Sequence, residues 1–90
     1  MPALNRIGNV GNLEKIRHDV LGGTSNANIR FDDLCLLLNR LGFKERTKGS
    51  HRIFSKTGVI EIINIQPRPD GKAKPYQVNQ VRAIIRQHSL

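Results

Sequence analysis

The side chains of this 90-residue sequence that could do chemistry are few: three histidines, one cysteine and a strong excess of cations. His18, His51 and His88 stand more than thirty residues apart, and no second histidine, cysteine or carboxylate joins any of them at a metal-ligand spacing. No metal site is expected, and no Walker loop, dinucleotide glycine fingerprint or nucleophile elbow occurs. His18, beside Asp19, reads as a surface residue. So does His88 in the last turn of the chain, where it can also favour a helix C-terminus. Cys35 lies on an apolar helix face with no motif around it and reads as a small core residue. His51 differs through its company, Lys48-Gly49-Ser50-His51-Arg52. Gly49 lets a phosphate approach the backbone amides, and Ser50 adds a hydroxyl donor. Lys48 and Arg52 are expected to hold that phosphate and to disfavour a charged imidazole until substrate arrives. A neutral His51 can then take a proton from a ribose 2′-hydroxyl, or a protonated one can donate to the leaving oxygen. On spacing alone, a surface histidine in a basic hairpin is the more ordinary reading of the same turn.

Charge narrows the partners. Lys and Arg number 15 against 7 Asp and Glu. Residues 1–43 hold 5 basic and 4 acidic side chains, net +1, whereas residues 44–90 hold 10 and 3, net +7. Such one-sided charge captures polyanions, so nucleic acid is the first candidate and an acidic protein the second; charge kept for solubility is the plain alternative. Four aromatic residues, Phe31, Phe43, Phe54 and Tyr76, are too few for base stacking to be the main source of affinity. The absence of an apolar run, of a secretory h-region near Met1 and of a second cysteine leads to an expectation of a cytoplasmic protein without membrane contact.

The elements that must position His51 follow from periodicity. Residues 1–12, with Gly8 and Gly11, read as a flexible N-terminus ahead of one domain, 13–90. Leu13, Ile16, Val20 and Leu21 predict a helix over 13–22 that Gly22-Gly23 ends, and Thr24 to Asn28 reads as a connector. Phe31, Leu34, Leu38 and Leu41 predict the clearest helix, with Cys35 and Leu37 widening its apolar face. Asp32 and Asp33 favour its positive end, Arg30 is a poor cap, Ile29 can staple onto Leu34, and Gly42 closes it. Strands are predicted at Phe43–Thr47, His51–Lys56 and Val59–Gln66, the last two joined by Thr57-Gly58. In the third strand Ile60 and Ile62 oppose Ile63 and Ile65, so alternation leaves the inward face open. A loop carrying Arg68, Lys72 and Lys74 leads to a last helix opened by Pro75 and lined by Val78, Val81, Ile84 and Ile85. The order gives an α+β domain with helices on one face of a three-stranded antiparallel sheet.

One stretch of sequence is more specific. Phe31-Asp32-Asp33-Leu34 with Leu37 and Leu38, Leu41-Gly42-Phe43, Lys48-Gly49-Ser50-His51 with Ile53-Phe54, and Lys74-Pro75-Tyr76-Gln77-Val78 with Gln80-Val81-Arg82 resemble the HicA toxins of toxin–antitoxin pairs. The likeness spans residues 31–90, leaving 13–22 as an added helix. It implies a double-stranded-RNA-binding-domain-like fold. It also implies metal-independent and cofactor-free cleavage of mRNA that depends on the Gly-Ser-His histidine, here His51, and neutralisation by a cognate HicB antitoxin. Two readings from other classes remain: a non-catalytic RNA-binding module on the same fold, and an interaction domain that only docks an acidic protein.

Overall fold

In the computed structural model, which describes residues 2–90 with side chains from Asn12 onward, the chain forms three helices and three strands. They are α1 (Pro2–Gly22), α2 (Phe31–Arg40), β1 (Lys44–Lys48), β2 (His51–Lys56), β3 (Val59–Ile65) and α3 (Pro75–Gln87), with one 3-10 turn at Asn26–Asn28. Helix α2 forms where the apolar spacing put it and buries Phe31, Leu34, Cys35, Leu37 and Leu38. Arg30 offers its N-terminus no side-chain cap. The loop carbonyl of Gly71 compensates by accepting the Phe31 N–H at 3.0 Å. At the other end Gly42 sits at φ 95, Phe43 N–H reaches the Leu38 carbonyl and Gly42 N–H reaches that of Asn39, both at 3.1 Å. Those two bonds are a Schellman closure, and its left-handed residue favours glycine. Leu41 departs from expectation: it lies at this closure, only partly buried at the core's edge. Leu38 is wholly buried. Leu38→Ala is therefore expected to cost about 2–5 kcal/mol in denaturant unfolding, and a loss under about 1 kcal/mol would place α2 outside the core.

The first helix starts at Pro2 rather than at the expected Leu13, so most of the segment read as loose belongs to α1. Its glycines lower helix propensity by about 1 kcal/mol each relative to alanine, and this disguised the first half. The second half is fixed by tertiary contact. Val20 is fully buried and Leu13, Ile16 and Leu21 pack on the core. Arginines of α3 then satisfy the carbonyls at the end of α1: Arg82 Nε donates to Val20 O at 2.7 Å and Arg86 Nη2 to Leu21 O at 2.6 Å. Cations at a helix C-terminus also complement its dipole.

The sheet has the order β1-β2-β3 with both pairs antiparallel. Phe54, Ile63 and Ile65 are fully buried beneath the helices, whereas Ile60 and Ile62 are 88% and 56% exposed. This answers the question alternation left open: Val59, Ile63 and Ile65 face inward, and Ile60, Ile62 and Asn64 face out. The result is an α+β fold, a three-stranded antiparallel sheet with three helices, as in double-stranded-RNA-binding-like domains. Burial pushes the Cys35 thiol up to about 12, helped by the nearby Glu45 carboxylate, so it stays protonated and inert near neutral pH.

Candidate active site

The β1–β2 hairpin sets the site. Lys48 and His51 form its last cross-strand pair, with Gly49-Ser50 as a two-residue turn between them. Gly49 has φ 61 and Ser50 a negative φ, the signature of a type II′ turn whose twist suits a hairpin. No atom lies within 4 Å of where a Gly49 Cβ would stand, so the turn is open to an approaching group. Strand alternation then decides which side chains share a face. Phe54 points inward, so Arg52 does too, and His51 and Ile53 point outward. Across the ladder Lys48, Arg46 and Lys44 pair with His51, Ile53 and Ser55, which places all three cations on the outer face.

His51 is half-buried on that face. Its diagonal neighbour on β3 is Asn64, and His51 Nδ1 lies 2.8 Å from Asn64 Oδ1. A carbonyl oxygen only accepts, so Nδ1 is the donor in this contact, and Nε2 is left without a protein partner among the described residues. Beside the ring, Gln66 Nε2 donates to Ser50 Oγ at 3.0 Å, and Lys74 Nζ reaches Gln66 Oε1 at 3.5 Å. The backbone N–H of Gln66 donates to Oε1 of Gln77, a buried glutamine in the first turn of α3. Helix α3 is thereby tied to the end of β3 next to the turn, and a second cation, Lys74, reaches the site from a distant part of the sequence. An imidazole, a hydroxyl, an open glycine turn and cations from two segments suit proton transfer beside a bound phosphate.

A family model described as HicA toxin of bacterial toxin-antitoxin matches residues 31–90. The chain belongs to the HicA toxin family. As such it is the toxin of a toxin–antitoxin pair and has an antitoxin as its partner. No curated protein and no solved structure matches it. The match begins at Phe31, the first residue of α2, so this HicA chain carries α1 ahead of the family's common part.

Four of the five site residues expected in this HicA toxin come together: Lys48, Gly49, Ser50 and His51. Arg52 does not. It lies on the opposite face of β2, where Nη1 pairs with Glu45 Oε2 at 2.5 Å, and Asn39 of α2 donates to the other oxygen at 2.9 Å. The Asn39 hydrogen bond and then the guanidinium hold the Glu45 carboxyl below its usual range, and the same pair raises Arg52. Arg52 thus joins the sheet to α2 on the face opposite Lys48 and His51; one residue of strand offset reverses the side chain's face. Asn64, Gln66 and Gln77 escaped the sequence reading. Parity would have revealed Asn64 once Ile63 and Ile65 were known to face inward. His88, expected at a solvated end, caps α3 and binds Glu61 Oε1 through Nε2 at 2.8 Å, and this bond lowers the Glu61 carboxyl. His18 is exposed. Among the described residues no three His, Cys, Asp or Glu side chains gather as a metal would require, and no helix is long and apolar enough to cross a membrane.

Proposed function

We propose that the chain is an endoribonuclease that cuts mRNA by internal transesterification, with His51 as general acid/base and no metal or cofactor in the step. The observation that carries this is the His51–Asn64 contact, which occupies Nδ1 and leaves Nε2 without a protein partner among the described residues, on the cationic outer face of the sheet. In the reaction His51 Nε2 removes the 2′-hydroxyl proton as that oxygen attacks the adjacent phosphorus. The bond to the 5′-oxygen breaks, and the imidazolium returns its proton to that leaving oxygen. Lys48 and Lys74 offset the charge that builds on the phosphoryl oxygens, and the Gly49-Ser50 turn admits them. The products fix the test. RNA cut in EDTA is expected to end in 2′,3′-cyclic phosphates and 5′-hydroxyls. Fragments bearing 5′-phosphates would instead mean that water or a metal hydroxide attacks, and would remove this mechanism.

The antitoxin, of HicB type in this reading, is proposed to dock on the same outer face. Lys44, Arg46 and Lys48 attract an acidic surface, and the exposed Ile60 and Ile62 supply apolar area beside it. A molecule seated there covers the approach to His51, so RNA and antitoxin are expected to compete. Cleavage should stop at a fixed stoichiometry, with exchange protection over residues 44–56. A ternary complex retaining RNA at His51 would rule out this mode of inhibition.

A further inference from the structure

Neutral imidazole exists in two tautomers, and free histidine in water favours the one protonated at Nε2. In that form the lone pair would sit on Nδ1, facing Asn64 and turned away from an incoming ribose. An acceptor oxygen at Nδ1 favours the other tautomer. Asn64 Oδ1 stands 2.8 Å from Nδ1, and Nε2 has no protein partner among the described residues. Asn64 is exposed, its side chain makes no other hydrogen bond among the described residues, and its Cα partner across the ladder is Ile53. No packing role accounts for an amide aimed at this ring from a strand whose other outward side chains are isoleucines.

We infer that Asn64 is the positioning residue of His51: by accepting the Nδ1 proton it fixes the imidazole as a base at Nε2 and sets the plane of the ring. The inference rests on the ribonuclease reading above. A neutral acceptor suits the task better than a carboxylate would, because a negative charge at this distance would favour imidazolium and take away the free lone pair at neutral pH. An amide orients the ring without that cost. A fixed base is also a preorganised one, ready without rotation when the 2′-hydroxyl arrives.

The test combines ring-nitrogen NMR with kinetics on the full chain and its Asn64→Ala and Asn64→Asp forms. The intact protein is expected to show a proton on Nδ1 of neutral His51. Asn64→Ala should shift the ring mainly to the Nε2-protonated form and lower kcat about tenfold with KM unchanged, a fraction of the 100–10,000-fold due to the base itself. Asn64→Asp should keep the Nδ1 proton, recover most of kcat at high pH, and move the acid limb of the pH–rate profile upward, because the added carboxylate favours imidazolium. An intact protein protonated mainly at Nε2, or an Asn64→Ala form with unaltered tautomer and kcat, would overturn the inference. The ribonuclease reading fails separately, if His51→Ala cuts RNA as fast as the intact chain; the NMR comparison then still decides whether Asn64 orients the ring.

Discussion

Bulk RNA in EDTA is expected to be cut about 100–10,000-fold more slowly by His51→Ala than by the intact chain, the usual contribution of a positioned acid/base. The variant should fold normally. His51 is half-buried on the open face of the sheet and contributes nothing to the core beneath it. Unchanged thermal unfolding together with lost cleavage would therefore isolate the chemical role. Exogenous imidazole offers a further discriminator, since a missing base can be replaced in part from solution whereas a missing contact cannot. Equal cleavage by both forms would remove His51 from the mechanism.

How far such a site could be read from sequence depended on whether its parts are local. The Lys48 to His51 turn is local: glycine at a position of positive φ, a hydroxyl, an imidazole and a lysine adjoin in the chain and so adjoin in space. Helix α2 was legible for the same reason, since its apolar period, its acidic first turn and Gly42 all lie within a dozen residues. Asn64 meets His51, and Gln66, Lys74 and Gln77 join the turn through Ser50 and one another, only by the β2–β3 register and the docking of α3, which no local pattern encodes. Arg52 shows the limit of local reading. Adjacency in sequence suggested a shared role, but alternation along β2 sends it to Glu45 on the helix side. The start of α1 was hidden because its glycines argue for coil, while the contacts that hold the helix lie in α3.

The same parity argument decides which cations RNA should feel. Lys44, Arg46 and Lys48 alternate outward along β1, about 7 Å apart, a separation comparable to that of successive phosphates in an extended strand. The row ends at the partner of His51, so a backbone lying along β1 would bring one phosphate to the base while its neighbours are neutralised. Replacing all three by Gln is expected to flatten the dependence of log affinity on log salt by about 2–3, at roughly 0.7–0.9 per lost phosphate contact. Stability should hardly change, since all three side chains are exposed. Arg52→Gln provides the contrast. Its bond to Glu45 is a partly exposed ion pair, so its loss should lower stability by less than about 1 kcal/mol and leave the salt slope where it was. Cations on an edge strand also deter strand pairing between copies, so the triple variant should be compared at concentrations where it stays monomeric. A slope that falls with Arg52→Gln and not with the triple change would put the RNA on the helix side of the sheet, away from His51, and would break the link between the cationic row and the site.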